Sequence, residues 1–385
     1  MKSIPNCIPY ISGNESKYLK ECIDTGWISP VGPFVDNFEK IFARYHNVNS
    51  AAAVSSGTSA IHLGLISLGV EKNDMVLCPT INFIGSVNPI KYIGADPIFI
   101  GIEPESLNID VNSLYDFFKY EVTYKSKTLF YNKNGRRIKC LIVVHLYGNP
   151  ADMDPIIEIS KKYNLPVLED AAESLGAKYN NKLVGTIGDI GCYSFNGNKV
   201  ITTGGGGMVI SRDSKKVLTC KHLSTQAKCD NFEFIHDNIG YNYRLSNLCA
   251  AVGLAQMESL DDYIQKKREH AFYYQKQFSQ KNNIKILFPG SNCYGTFWMT
   301  LARIKKSYNQ KNTIDKLKNL SKQGIGVRPI WYPIHKMHFY QTYDYYGNDL
   351  YNSIYESTFC LPSSVGLTQD EIKKSSEAII DIFGD

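Results

Sequence analysis

Short apolar runs alternate with amphipathic segments over residues 50–210 of this 385-residue chain. The apolar runs lie at residues 51–55, 75–79, 96–102, 139–147 and 166–170. Each run is mainly apolar and does not alternate with polar residues, as expected of strands that helices cover on both faces. Helical patterns follow the first four runs and begin near residues 58, 83, 111 and 154. This alternation predicts an α/β fold in which a mainly parallel sheet is flanked by helices.

A polar, basic segment at residues 120–139 interrupts the alternation. It contains Asn134 followed by Gly135, a pair that favours a tight hairpin turn. The segment is therefore predicted to form a β-excursion at the surface.

The pattern changes again after residue 240. Residues 245–278 form a long amphipathic helical pattern with a break near residue 260. Strands are expected at residues 296–304 and 325–331, with a terminal helix from Gln369 to Phe383. The sequence therefore predicts a large domain, which includes the N-terminal segment, and a smaller α+β domain, divided as residues 1–250 and 251–385.

Composition narrows the possible functions. The chain is 43% hydrophobic and 21% charged, with a net charge of +5 from dispersed Lys and Arg, which gives little support for nucleic-acid binding and suits a small anionic substrate. The ten cysteines are scattered singly, without zinc-site spacing. No window reaches the roughly 18 apolar residues of a membrane helix. We expect a cytoplasmic protein with reduced thiols, no metal site and no membrane association.

Residues that follow the strands carry the candidate chemistry, because ligands of open α/β sheets bind beyond the carboxyl ends of the strands. Small residues, Ser56 to Ser59, open the first helix, where free N–H groups suit a phosphate. The same residues could serve only as a helix cap. Phe83, after the second strand, could stack on a planar ligand or pack in the core.

An acid and a lysine complete the set. Asp170 ends the fifth strand and is followed by two alanines and Glu173; it could hold a pyridine nitrogen protonated, or cap the next helix. Lys199 lies between a small polar loop and the glycines 204–207, where an amine could form a Schiff base. Most lysines are solvated and most glycine runs mark turns, so neither feature is specific alone. Together these residues are the parts of a pyridoxal phosphate site.

Longer motifs containing these residues extend over nearly the whole chain. They are GWIS (26–29), SGTSAIHLGL (56–65), PTINFIGSVNPI (79–90), EDAAESLGAKY (169–179), GDIGCYSFNGNKVITTGGGGM (188–208), GYNYRLSNLCAAVGLAQ (240–256) and RPIWYPIH (328–335). They resemble the motifs of the DegT/StrS-type sugar-nucleotide aminotransferases, which are fold-type I pyridoxal phosphate enzymes. The resemblance implies that Lys199 is the Schiff-base lysine, that Asp170 pairs with the pyridine nitrogen, and that Phe83 stacks on the ring.

The resemblance also implies a phosphate site and a dimer. Gly57, Thr58 and Ser194 would hold the phosphate, with Ser59 in the same loop. Asn242 would reach the phosphate of the neighbouring subunit's cofactor, so the active sites would be shared within a homodimer.

Glu173 departs from the pattern of many family members, which carry Gln beside the cofactor's phenolic oxygen. An ionised carboxylate cannot donate a hydrogen bond to that oxygen. Glu173 is therefore either protonated at this site or has a different role.

A narrower resemblance concerns the substrate. The motifs SFNGNK, TTGGGGM, STQAK and FIHDNIGYNYR, within residues 194–244, are similar to those of aminotransferases of the bacillosamine and legionaminic acid pathways. They imply the C4 keto group of a UDP- or GDP-linked 4-keto-6-deoxy-N-acetylhexosamine as acceptor, and the resemblance to the wider family implies L-glutamate as amino donor. Plausible sugar or nucleotide contacts are Trp27, Ser29, Arg328, Tyr332 and His335. His335 could equally be a loop histidine without a ligand, and Arg328 a salt-bridge partner.

The sequence also allows comparison with four alternative functions. The first is an aminotransferase of the same family that acts on a perosamine-type substrate or a 3-keto dTDP-sugar. The second is a sugar dehydratase with histidine in place of the lysine, which Lys199 opposes. The third is a non-catalytic regulatory relative, although Lys199, Asp170 and the phosphate loop are all present. The last is a dinucleotide oxidoreductase, for which no G-x-G-x-x-G follows the first strand.

Overall fold

The computed structural model describes residues 3–281, 283–305 and 310–384. Its helices are α1 (Glu15–Thr25), α2 (Pro33–Tyr45), α3 (Gly57–Ser67), α4 (Asn88–Tyr92), α5 (Val111–Tyr120), α6 (Met153–Tyr163), α7 (Ser214–Ser224), α8 (Asn247–Met257), α9 (Leu260–Phe278), α10 (Gln310–Lys322), α11 (Leu350–Ser357) and α12 (Gln369–Phe383). Its strands are β1 (Ser50–Val54), β2 (Met75–Pro79), β3 (Asp96–Ile100), β4 (Val122–Lys125), β5 (Thr128–Tyr131), β6 (Arg137–Val144), β7 (Val167–Asp170), β8 (Lys178–Tyr179), β9 (Lys182–Leu183), β10 (Ile190–Ser194), β11 (Gly207–Ser211), β12 (Ile284–Ile286), β13 (Cys293–Tyr294), β14 (Leu301–Ile304), β15 (Arg328–Pro329), β16 (Tyr345–Tyr346) and β17 (Thr358–Cys360).

The large sheet has the strand order β1-β11-β10-β7-β6-β2-β3-β16. Every pairing from β10 to β16 is parallel, whereas β11 is antiparallel to both of its neighbours. β1 therefore runs in the same direction as β10, and the carboxyl ends of β1, β10, β7 and β2 lie at one edge of the sheet. The predicted α/β fold with a mainly parallel, helix-flanked sheet is confirmed.

The second predicted helix, near residues 83–93, differs from the prediction. A single 3₁₀ turn over Ile84–Ser86 comes first, and the short α4 follows it. Pro89 lies in the first turn of α4, where its missing N–H costs no helical hydrogen bond. The segment is therefore a turn and a helix start rather than one continuous helix.

The polar segment at residues 120–139 forms two consecutive hairpins, as its composition suggested. Ser126 and Lys127 make the first turn with φ values of 50° and 60°, and Gly135 makes the second with a φ of 68°. Because β5 pairs with β6, the excursion extends the large sheet instead of standing apart from it.

The C-terminal part holds a smaller antiparallel sheet in the order β12-β14-β17-β15, with helices beside it. The predicted helical break falls between α8 and α9, and α12 begins with a capping box of Thr368 and Glu371. Residues 296–300 are not strand, so the expected strand is shorter than predicted. The division at residue 250 stays a prediction: α8 spans that position, and β16 pairs with β3 of the large sheet. Within the described residues, no helix has the length and apolar character needed to span a bilayer.

Candidate active site

A cavity of about 320 Å³ lies at the carboxyl ends of β1, β2, β7 and β10, and we call it the lysine cavity. Its wall includes seven of the residues singled out from the sequence: Gly57, Thr58, Phe83, Asp170, Glu173, Ser194 and Lys199. The remaining lining residues include Ser86, Asn196, Asn198, Trp298 and Trp331. The fold therefore brings together residues that are up to 275 positions apart in the chain, between Ser56 and Trp331.

Lys199 contributes an amine to this cavity. Its Nζ atom lies 3.9 Å from the centroid of the Trp298 ring and 3.8 Å from Oε1 of Glu173. Burial lowers the pKa of Lys199, while the charges of Glu173 and Asp170 act in the opposite direction. A lowered pKa favours the neutral amine, which is the nucleophilic form.

Asp170 is buried at the tip of β7. Its Oδ2 accepts a hydrogen bond from Ser86 Oγ at 2.5 Å, and its Oδ1 accepts one from the backbone N–H of Ala172 at 3.0 Å. Burial nevertheless raises the pKa of Asp170. A protonated ring nitrogen at this position would supply the cation that favours the ionised carboxylate.

The first turn of α3 forms a cradle at the end of the cavity. Ser56 Oγ accepts from the N–H of Ser59 at 3.0 Å, whereas the N–H groups of Gly57 and Thr58 belong to the helix start, where no intrahelical acceptor exists. A Cβ on Gly57 would lie 2.8 Å from the Cβ of Ser194, so glycine is needed for this close approach. The turn is therefore suited to an anionic group.

The neighbouring glycines shape the same cradle. A Cβ on Gly207 would lie 2.4 Å from the backbone oxygen of Ser56, so β11 can pass the cradle only with glycine at this position. Gly204 has a φ of 78° and needs glycine for its backbone conformation, whereas the space around Gly205 is open.

Ser59 differs from the expectation of a cofactor contact. Its hydroxyl is hydrogen-bonded to Ser56 Oγ at 2.8 Å and to Ser55 Oγ at 3.2 Å, and the residue does not line the cavity. These hydrogen bonds stabilise the first turn of α3.

Aromatic rings form one wall of the lysine cavity. Tyr147 stacks against Trp298 and Trp331 at centroid distances of 6.0 and 5.8 Å, and Phe83 lies 5.1 Å from Trp331. Sequence reasoning did not single out Trp298, Trp331 or Tyr147. Trp331 lies inside the RPIWYPIH motif, so the motif could have indicated it, but nothing in the sequence places Trp298 beside Lys199.

Glu173 is held between this wall and the lysine. Its Oε2 accepts from the backbone N–H of Tyr147 at 2.8 Å, and its Oε1 accepts from Trp331 Nε1 at 3.1 Å. Burial raises the pKa of Glu173 to about 6, although the nearby charge of Lys199 lowers it. Both carboxyl oxygens therefore have a donor from this chain.

An adjoining cavity of about 770 Å³ shares Asn198, Trp298 and Trp331 with the lysine cavity. Arg328 and Tyr332 line it, so two of the five proposed substrate contacts lie next to the site. Arg328 Nη1 donates to Ser321 Oγ and to the carbonyl of Val327, and it forms no ion pair among the described residues.

The other three proposed substrate contacts lie elsewhere. Trp27 and Ser29 are on an exposed segment between α1 and α2, and their carbonyl groups accept hydrogen bonds from Asn247. His335 is buried, with its ring stacked 4.2 Å from that of Tyr345, and burial lowers its pKa to about 4. His335 thus packs as an internal loop histidine, which is one of its two sequence interpretations.

Asn242 is exposed and lines neither cavity. Its backbone pairs with Thr225. Its predicted role concerns a second subunit and stays a prediction.

A buried amine, a strand-end carboxylate and a helix-start anion cradle around one cavity define the site of a pyridoxal phosphate enzyme of the aminotransferase class. Residues 9–380 match the DegT/DnrJ/EryC1/StrS aminotransferase family, and the chain belongs to that family. It is a pyridoxal phosphate-dependent sugar-nucleotide aminotransferase, as the sequence motifs implied.

Known proteins similar to this chain agree with the family assignment. The chain is 38% identical to the GDP-perosamine synthase of Escherichia coli O157:H7 over the full length of both. It is 36% identical to the putative pyridoxal phosphate-dependent aminotransferase EpsN of Bacillus subtilis, covering 97% of this chain and 94% of EpsN. Among solved structures, PseC of Helicobacter pylori, an aminotransferase of pseudoaminic acid biosynthesis, has a similar fold, with a TM-score of 0.88 at 24% identity and coverage of 99% of each chain.

Proposed function

We propose that this protein transfers the amino group of L-glutamate to the C4 keto group of a UDP- or GDP-linked 4-keto-6-deoxy-N-acetylhexosamine. The observation that carries the proposal is the position of Lys199, whose amine shares one cavity with Asp170, Glu173 and the cradle at Gly57. A second cavity of about 770 Å³ adjoins it and offers room for the sugar nucleotide.

The residues of the lysine cavity have separate tasks in this reaction. When bound, pyridoxal phosphate supplies an electron-poor ring that stabilises negative charge on the donor's α-carbon. Asp170 holds the ring nitrogen in its protonated form, and Ser86 and Ala172 orient that carboxylate. Gly57, Thr58 and Ser194 would hold the phosphate, and Phe83 would stack on the ring; all four line the lysine cavity.

Lys199 moves protons. Its amine, free once the donor has bound, would take up a proton from the donor's α-carbon and hold it for return. The same amine returns a proton in the second half of the reaction, when the keto sugar is aminated. Its lowered pKa favours this use as a base.

Glu173 acts as the counter-charge of Lys199 in this proposal. It lies 3.8 Å from the amine, and its two oxygens are held by the N–H groups of Tyr147 and Trp331. An ionised Glu173 stabilises the protonated lysine after it has taken up a proton.

We also propose that the protein acts as a cytoplasmic homodimer with shared active sites. Asn242 follows a surface segment with unusually exposed apolar side chains, including Phe232 at 92% and Ile239 at 83% of full exposure. Exposed apolar clusters of this kind are typical of interaction surfaces. A second copy of this chain would cover them and bring Asn242 to the neighbouring phosphate.

A perosamine-type substrate is the second candidate. The 38% identity to a GDP-perosamine synthase over the full chain favours it, and it would require GDP as the carrier.

The experiment is a transamination assay of the purified holoenzyme with L-glutamate and a panel of UDP-, GDP- and dTDP-linked keto sugars. The proposal expects turnover of 4-keto-6-deoxy-N-acetylhexosamine nucleotides and none with Lys199→Ala. Turnover confined to the GDP-linked perosamine precursor would establish the second candidate instead. Turnover of 3-keto dTDP-sugars alone would refute both.

A further inference from the structure

Lys267, on α9, is a fully buried lysine outside the lysine cavity. The residue is only 1% exposed, and it forms no ion pair in the part of the chain that the structure describes. Burial lowers its pKa. Placing an amine there without a carboxylate is unfavourable unless other groups accept its hydrogen bonds.

Three acceptors from distant segments surround the Lys267 amine. Nζ donates to the carbonyl of Ser363 at 2.5 Å and to that of Trp298 at 3.2 Å, and it lies 3.8 Å from Cys7 Sγ. An ammonium group has three N–H donors, so each can be used. Lys267 thus joins α9 to the N-terminal segment and to two loops of the C-terminal part.

Two of these contacts lead directly to the loop that carries Lys199. The carbonyl of Asn198, the residue before Lys199, accepts from Trp298 Nε1 at 2.6 Å and from Cys7 Sγ at 3.2 Å. Cys7 also lies 3.9 Å from the carbonyl of Ser363, but the contact with Asn198 is the shorter one. The two hydrogen bonds of Cys7 are compatible, because Lys267 can donate to the sulfur while the thiol donates to the carbonyl of Asn198.

Trp298 connects Lys267 to the reactive amine a second time. Its backbone is held by Lys267, its indole N–H holds Asn198, and its ring lies 3.9 Å from Lys199 Nζ. A shift of the Trp298 backbone would therefore move both the loop and the surface against which the Lys199 amine rests.

We propose that Lys267 is a positioning residue for Lys199, which it fixes through Trp298 and Cys7. The inference rests on the proposed function only in that Lys199 is the reactive amine. Misplacement of a reacting group by about 1 Å can cost as much as 100-fold in rate. Loss of the Lys267 amine should therefore lower kcat more than it changes KM.

The test compares Lys267→Met, which replaces the amine with an unbranched apolar side chain one atom shorter, with Lys276→Met, the same change at an exposed position of α9. We expect Lys267→Met to lower kcat about tenfold or more, with KM for both substrates within about twofold. In the apoprotein, hydrogen exchange of the backbone amides of residues 195–203 should be about tenfold faster. The control should match the wild type in both measurements.

Cys7→Ala is a second test variant. It removes the contact that Cys7 makes between Lys267 and Asn198 and buries no new group. It should speed hydrogen exchange in the same segment, and the double variant should lose less activity than the product of the two single losses. A folded Lys267→Met protein with wild-type exchange and kcat would overturn the proposal, and so would fully multiplicative losses.

If Lys267→Met does not fold, the proposal is overturned by Cys7→Ala alone when its backbone amides at residues 195–203 exchange hydrogen at the wild-type rate. Hydrogen exchange of the apoprotein does not depend on the reaction. A wild-type enzyme without transaminase activity would count against the proposed function, whereas unchanged exchange would count against the role of Lys267.

Discussion

Replacement of Glu173 by Gln tests the electrostatics of the lysine cavity. The substitution keeps the shape of the side chain and removes its titration. Glu173 is 4% exposed, and burial raises its pKa from an ordinary value of 4.5 to about 6. The difference corresponds to about 2 kcal/mol between the protonated and ionised forms.

The sign follows from proton binding. An acid with a raised pKa binds its proton more tightly in the folded chain, so its contribution favours folding below about pH 4.5 and is lost as the pH rises through about 6. Glu173→Gln lacks this contribution. The free energy of unfolding of the variant minus that of the wild type should therefore increase by about 2 kcal/mol from about pH 4 to about pH 7.

Two further effects accompany the substitution. The amide NH₂ of Gln would face one of the two N–H donors, Tyr147 N or Trp331 Nε1, which costs about 1–3 kcal/mol at every pH. Loss of the carboxylate also removes a charge that raises the pKa of Lys199. A lysine whose pKa is lowered by folding destabilises the folded chain more as the pH falls. The further lowering of the Lys199 pKa therefore makes the variant relatively less stable at low pH, in the same direction as the loss of the Glu173 titration.

The measurement is urea unfolding of the apoprotein across this pH range, with Glu158→Gln on the exposed side of α6 as the matched control. Subtracting the control removes the effects of changing one surface charge. A difference between Glu173→Gln and wild type that stays constant with pH would refute the raised pKa and, with it, the strongly desolvated cavity.

Three other substitutions test the remaining parts of the site. Lys199→Ala should abolish both transamination and the visible absorbance of lysine-bound cofactor; full turnover in this variant would end the assignment. Gly57→Ala should weaken cofactor binding at least tenfold, measured by equilibrium dialysis, because its Cβ would lie 2.8 Å from the Cβ of Ser194; unchanged affinity would exclude the cradle. Asn242→Ala should speed cofactor loss from the dimer, followed by gel filtration and absorbance, and a fully active monomer would contradict shared sites.

The alternation of apolar runs and helical patterns predicted the large sheet because each buried strand must be apolar along its length. β16 could not be predicted in this way, since two residues, Tyr345 and Tyr346, carry no periodicity. They pair with β3 only because the C-terminal part folds back onto the large sheet. The segment after Phe83 differed from the predicted continuous helix because Pro89 lies in the first turn of α4 and favours a helix start there. The apolar pattern does not show this local effect.

The candidate site was predictable where its residues directly follow strands. Gly57, Phe83, Asp170 and Lys199 meet in one cavity because the strands before them run parallel and end at the same edge. Trp298 belongs to the C-terminal part, and its approach to Lys199 depends on long-range packing. No local sequence pattern encodes such a contact, which is why it was missed.

Burial displaces the pKa of all three titrating groups in the lysine cavity towards the neutral form. It raises the pKa of Asp170 and Glu173 and lowers that of Lys199. Because the three shifts share one cause, any change that admits water reduces them together. The aromatic wall of Trp298 and Trp331 thus supports proton transfer by Lys199 although neither indole titrates.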